Sequence, residues 1–306
     1  MRKRTTLINI RRDWKRNHTY YYIVAPVIAF FLIFNYIPMS GLIMAFQRFK
    51  VAKGVFGSEW VGFKWFEQFF SSEYFTRTLG NTVTISLISL VLGALGPVTL
   101  AILLNEIKNR RFKKTVQSIT YMPYFISVVV VVSLVKILVA PEGPLGQLAG
   151  SIFGTNISLL SLPEWFKPLL IGSDMWQMIG YICVIYLSAL SGIDSEMYEA
   201  ARIDGAGYWK QMVHVTLPGL APTIIVLLII RTGQILNVGY EKILIMYSPA
   251  IYATSDVINT FVYRKGLLEG NFGYATAVGL FNSVVGLLLI IGSNYLARKN
   301  SESSLF

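Results

Sequence analysis

One cysteine and two histidines are all that this 306-residue chain carries of the side chains that most readily bind metals or move protons. The cysteine, Cys183, sits inside an apolar run, which excludes a disulfide framework and a cysteine-based metal cluster. His18 and His214 stand apart from each other and from any acidic cluster at ligand spacing, so a metal centre finds no support. No Gly-x-Ser-x-Gly elbow is present to expose an activated serine. Gly205-Ala206-Gly207 lacks the Gly-Lys-Ser/Thr ending with which a Walker A loop cradles phosphate. The chain therefore has no site of its own for ATP hydrolysis, and no enzyme, resident cofactor or metal is expected. Internal repeats and low-complexity stretches are also missing, and charged residues make up only 14% of the chain.

What abounds is apolar sequence. At 54% hydrophobic residues, arranged in long runs, the chain reads as an all-α polytopic membrane protein rather than a soluble domain. A span needs about twenty apolar residues, and six runs qualify: 20–46, 82–105, 117–138, 168–190, 219–240 and 273–297. The first is too long for a signal-peptide core and lacks a small-residue cleavage site, so it is expected to stay as an uncleaved span. Six spans put both termini on one side. Segments 1–19, 106–116, 191–218 and 298–306 hold 16 Lys/Arg against 9 in 47–81, 139–167 and 241–272. The positive-inside rule makes the richer side cytoplasmic. The net charge of +11 is thus a topology signal, and nucleic acid is not needed to explain it. Residues 1–19 hold seven of these cations and one acid, Asp13, with Leu7, Ile10 and Trp14 at helical spacing. That pattern predicts a basic amphipathic helix on the inner lipid surface, and 298–306 a short cytoplasmic tail.

Polar residues inside spans are costly in lipid and face a cavity or a partner helix. Arg231, Gln234, Asn237 and Glu241 recur at intervals of three, three and four, which predicts one helical stripe on the fifth span. Arg231 would lie about 18 Å from the inner edge at ~1.5 Å per residue. Asp174, Gln177 and Tyr181 form a similar stripe on the fourth span, with Gln177 at much the same depth. Tyr124 and Asn282 are candidates to join them, and Trp176 and Tyr181 offer rings on which sugars could stack. Two readings stand for Arg231: a lining residue that binds a carboxylate, or one half of an ion pair with Asp174 or a partner subunit.

Between the fourth and fifth spans lies a polar stretch, 191–218. Asp194 or Ser195 can cap a helix there, Glu196 and Glu199 suit its first turns, and Gly205 and Gly207 can end it. A second short helix fits 208–214, and Pro218 forces a new start at the next apolar run. Glu199-Ala200-Ala201, three residues, Gly205, nine residues, then Val215-Thr216-Leu217-Pro218 resembles the cytoplasmic loop of ABC-importer permeases. The departure is Val215, where isoleucine is commoner. The wider run MYEAARIDGAGYWKQMVHVTLPGLAPT looks like the carbohydrate-import subfamily, and WVGFKWFEQFF like its first outer loop. RTGQILNVGYEKILIMYSP, at 231–249, is similar to permeases serving complex or uronic-acid-containing oligosaccharides.

The resemblance implies six transmembrane helices with a coupling-helix loop between spans four and five, in a prokaryotic cytoplasmic membrane. It implies alternating access, a second homologous permease, two ATP-binding subunits that carry the ATP and Mg, and an extracytoplasmic solute-binding protein. Glu199, Ala200, Ala201, Asp204, Gly205, Leu217 and Pro218 would then dock the ATPase. The other reading is an ion-coupled secondary transporter, which would more often show ten or more spans with inverted repeats and broken midplane helices. Six spans and no repeat disfavour it.

Overall fold

The computed structural model describes residues 2–154 and 157–300. Six helical segments are long and apolar enough to cross a membrane: Asp13–Phe46, Glu73–Glu106, Val128–Phe153, Pro163–Ser191, Tyr208–Gly233 and Phe272–Arg298. They are called here the first to sixth spans. The all-helical class is interrupted only by a two-residue antiparallel ladder among the described residues, Gln47–Arg48 against Glu59–Trp60. Most of the expected tail at 298–306 lies outside the described residues.

The second, fourth and sixth spans are continuous rods of 34, 29 and 29 helical residues. The second and fourth pack along one another through Val98, Ala101, Leu104, Cys183, Tyr186 and Leu190, with Leu220 of the fifth span closing that cluster. Toward the other end Phe166, Leu170 and Ile171 meet Ile243, Met246 and Ile251. A third, aromatic cluster joins Trp65 and Phe69 of the segment after the first span to Phe261, Tyr274 and Val278. Such clusters stabilise by about 25 cal/mol per Å² of apolar surface removed from contact with water, and in lipid by close packing instead.

Three sequence expectations need correction. The basic segment 1–19 is not a separate surface helix: Arg2–Phe31 is one helix. No Gly or Pro precedes Pro26 to end it. Asp13 also accepts from Asn17 at 2.6 Å and from the Tyr21 hydroxyl, staples that carry the helix into the first span. The third run, 117–138, is not one rod either. Asn109 caps a helix Arg110–Tyr121, accepting from Arg111 and Phe112 amides; Met122–Phe125, with Pro123, is a tighter 3-10 turn; Ser127 caps a new helix, Val128–Val139. Proline has no N–H to donate and disfavours helical geometry in the residue before it, so the break falls there. The fifth run breaks too. The helix Leu217–Gly233 ends with Gln234 as its cap, residues 234–239 are non-helical, and helix begins again as Tyr240–Met246.

Proline also shapes the ends of spans. A wide π turn, Met212–Thr216, precedes Pro218, and Leu32–Tyr36 precedes Pro38. Each inserts one residue, so the carbonyl that would clash with the ring is displaced. Outside the spans, Asp256 is fully buried and ties Tyr252–Ser255 and its successor helix Ile258–Tyr263 to the second span. It accepts from Arg264 at 3.1 and 2.5 Å, from Arg77 at 3.3 Å and from Thr260 at 2.9 Å. Burial alone would lower the Arg264 pKa, but this carboxylate's hydrogen bonds and charge hold it above its ordinary value.

Gly180 marks a close contact between the fourth span and the helix Arg110–Tyr121. A Cβ there would stand 2.0 Å from the Thr120 carbonyl oxygen and 2.4 Å from its carbon, both backbone atoms that no rotamer change can move. Gly180→Ala is therefore expected to destabilise the protein by about 1–3 kcal/mol or more through overpacking. A thermal unfolding midpoint equal to wild type in detergent would refute that contact.

Candidate functional site

A cavity of about 340 Å³ opens where the second span, the fourth span and the broken part of the fifth converge. Ser86, Ser89 and Gly93 come from the second span, Asp174 and Met178 from the fourth, and Arg231, Gln234 and Asn237 from the fifth. Four of the residues expected to line a path, Asp174, Arg231, Gln234 and Asn237, thus share one space. They share it because the fifth span unwinds after Gly233, which turns Gln234 and Asn237 inward independently of helical register. Glu241, the last residue of the expected stripe, is exposed on the helix beyond the break and does not line the cavity.

The guanidinium of Arg231 lies against Gly93: a Cβ on that glycine would fall 2.0 Å from Nη1. Among the described residues no carboxylate forms an ion pair with Arg231. The expected pairing of Arg231 with Asp174 is overturned. Asp174 pairs instead with Lys242, whose side chain is 4% exposed and which also donates to Gln177 Oε1 at 3.1 Å. Lys242 was missed because the polar stripe read at intervals of three, three and four ended on Glu241.

The remaining expected residues do other work. Gln177 is buried, and its amide donates to the Ile126 carbonyl at 2.9 Å, at the broken third run. Asn282 is buried as well; its amide reaches Asn237 and Asn259 oxygens at 3.2 Å and the Leu236 carbonyl at 3.5 Å, bracing the break in the fifth span. Tyr124 and Tyr181 stack face to face at 3.9 Å, each ring occupied by the other. Trp176 borders a separate apolar groove between the fourth span and Val128–Val139, with Val131, Leu134 and Pro168. These five do not line the charged cavity.

The loop between fourth and fifth spans is a capped helix, Ser195–Ile203. Asp194 accepts from the Glu196 amide at 2.9 Å. At the other end Ala206 N–H bonds Ala201 C=O at 2.9 Å and Gly205 N–H bonds Arg202 C=O at 3.0 Å, around Gly205 at φ 74°. This is a Schellman closure, and its left-handed residue favours glycine. Glu199, Ala200, Asp204, Gly205, Leu217 and Pro218 are exposed and Ala201 is half-buried. Ile203 and Trp209 on this polar loop are 87% and 72% exposed. Beneath it the Tyr198 hydroxyl hydrogen-bonds Thr216 Oγ1 at 3.0 Å, joining this helix to the foot of the fifth span.

The family model for the binding-protein-dependent transport system inner membrane component matches residues 97–302, from within the second span to beyond the sixth. The chain belongs to that family. It is a multi-pass permease of a bacterial ABC importer, of a family without catalytic activity or cofactor of its own, whose ATP is bound by separate ATPase subunits. Protein LplB of Bacillus subtilis (strain 168) is 40% identical over 95% of this chain and 92% of its own length. The polygalacturonan/rhamnogalacturonan transport system permease protein YteP of the same organism is 39% identical over 94% and 89%. A crystal structure of a bacterial ABC transporter involved in the import of the acidic polysaccharide alginate superposes with a TM-score of 0.88. It is 40% identical and covers 95% of this permease and 99% of that chain.

Gln177 gives the site its sharpest stability test. Gln177→Leu should strip a buried carbonyl and Lys242 of a partner at a cost of about 1–3 kcal/mol. The permease's thermal midpoint is expected to fall; a wild-type midpoint would return Gln177 to the list of lining residues.

Proposed function

We propose that this permease, paired with a second homologous permease, forms the translocation path for an acidic oligosaccharide, and that Arg231 binds the sugar carboxylates. The observation that carries this reading is a cationic side chain turned into a cavity with no acidic partner among the described residues. A guanidinium binds a carboxylate bidentately, and the Gln234 and Asn237 amides and Ser86 and Ser89 hydroxyls suit sugar hydroxyls. The relatives add support, since YteP is named for polygalacturonan and two solved structures concern alginate import. One of those holds an alginate pentasaccharide on a periplasmic protein, which supports delivery by an extracytoplasmic solute-binding protein here.

Energy enters, on this proposal, at the exposed helix Ser195–Ile203, which docks in a groove of one of two ATPases on the cytoplasmic side. Glu199, Ala200, Ala201, Asp204 and Gly205 form the contact with Ile203 and Trp209, and Leu217 and Pro218 join it to the span. The surplus of Lys/Arg on the segments flanking that loop supports a cytoplasmic placement for it and for both termini. Closure of the ATPases would then move the loops and switch the permease pair from inward-open to outward-open.

Two experiments test the two ends. Arg231→Ala is expected to cut uptake of an oligogalacturonate roughly tenfold to a hundredfold, matching ~1.5–3 kcal/mol for hydrogen bonds to a charged group. Arg231→Lys should recover only part of it, lacking the planar fork. Unchanged uptake in both, with the complex intact, removes Arg231 from the path. Gly205→Val should leave the spans inserted but distort the closure at φ 74°, and Glu199→Lys reverses an exposed charge. Both are expected to lose the ATPase on co-purification or to uncouple its hydrolysis from delivered substrate. Wild-type behaviour of both would place the energy input elsewhere.

A further inference from the structure

Two side chains of opposite charge line the cavity, Arg231 and Asp174. Left to themselves they would give it no net preference for an anion. Asp174 is 36% exposed, so its carboxylate bears on whatever enters. Behind it stands a third charge. Lys242, on the helix Tyr240–Met246 beyond the break, is buried to 4% and outside the lining. Its ammonium donates to the Asp174 carboxylate and, at 3.1 Å, to Gln177 Oε1. Gln177 in turn is anchored to the Ile126 carbonyl at 2.9 Å, so the ammonium is held where it is. Arg231 has no such counter-charge among the described residues.

We propose that Lys242 is a specificity-determining residue: by neutralising Asp174 from behind, it leaves Arg231 as the one uncompensated charge facing the cavity among the described residues and so makes the path select for anionic sugars. This rests on the acidic-oligosaccharide reading above. Inside a low-dielectric cavity an unpaired carboxylate repels a second one strongly, whereas a paired one presents little more than a dipole. Lys242 therefore acts on the substrate through Asp174 and never touches it. A role as mere structural pin makes a different forecast, because a pin is lost whenever Lys242 is lost, whatever stands at position 174.

The test compares transport of trigalacturonate with that of its fully methyl-esterified, uncharged form, using the assembled complex with its ATPases and binding protein in liposomes. The delivering protein is the same in every arm, so a change in the acid-to-ester ratio belongs to the permease. Lys242→Met is expected to lower that ratio about tenfold or more, the change that ~1.4 kcal/mol produces. Lys242→Met combined with Asp174→Asn should restore it, since the bare carboxylate is gone. Asp174→Asn alone, which assembles independently of any fault in Lys242→Met, should keep or raise the ratio. An unchanged ratio in Lys242→Met, a double variant as low as the single, or a fall in Asp174→Asn overturns the assignment. A wild-type complex that does not prefer the acid overturns the acidic-substrate reading, and Lys242's role with it.

Discussion

A carbonyl freed by a helix break has no water to turn to inside a bilayer, and this permease is built around that constraint. Two of its expected spans are broken, at Met122–Phe125 and at residues 234–239. Each break is met by side chains from an unbroken rod. Gln177 on the fourth span takes the Ile126 carbonyl, Ser86 on the second takes that of Ile235, and Asn282 on the sixth reaches Leu236. Asn81, also on the second, takes the Ala253 and Asp256 carbonyls at 3.0 and 3.1 Å. The second, fourth and sixth spans thus form a frame whose side chains repair the breaks, and its second and fourth spans share the lining with the broken fifth.

Breaking the fifth span in this way is what makes a charged cavity possible. In a continuous helix Gln234, Asn237 and Glu241 would share one face, and Lys242, about three turns after Arg231, would come round to Arg231's own side. With the break, Lys242 enters the interior beside Asp174 and Gln177, and Glu241 is left exposed. A buried ammonium on its own would be very costly, but here it has a carboxylate and an amide oxygen. Arg231 sits on the other side of the break, at the end of the intact helix, where the side-chain-free face of Gly93 lets its guanidinium lie flat against the second span.

The fold was largely legible because long apolar runs and a lopsided distribution of Lys/Arg are coarse signals that survive without register. The geometry of the loop between the fourth and fifth spans was legible for a different reason: its capping Asp194, its Gly205 and its Pro218 act locally, and the structure uses Asp194 and Gly205 as cap and closure. The lining was legible only by half. Sequence spacing brings out polar residues in spans but cannot tell one that faces a cavity from one that repairs a neighbour's backbone. Gln177 and Asn282 are of the second kind, and nothing in their own segments says so. Pro123 offered a signal that the reading of 117–138 as one span passed over, whereas the unwinding at 234–239 has no proline, and its glycines at 233 and 239 are common in membrane helices. Tyr124, expected to join the lining, and Tyr181, expected to offer a ring to sugar, instead face each other, a pairing set by tertiary packing alone.

The placement of the break also bears on how the proposed energy input reaches the cavity. Leu217–Gly233 is a 17-residue rod, about 25 Å long at ~1.5 Å per residue. Its foot is tied to the docking helix by the Tyr198–Thr216 hydrogen bond, and Gly219 admits Ile193 so closely that a Cβ would stand 2.6 Å from it. Its head carries Arg231. A displacement of the docking helix would therefore arrive at Arg231 as a rigid-body shift, with little lost to bending. Beyond the head the chain is held by Asn282 and by the Lys242–Asp174 pair, both anchored to the frame. The non-helical residues 234–239 are the one stretch between a driven element and a fixed one, and it is they that must absorb the difference. In such a cycle Arg231 moves relative to Asp174, so the binding charge and the neutralised wall part or approach as the path switches sides. A continuous fifth span would carry Lys242 along with Arg231 and break the pairing that the cavity's charge depends on.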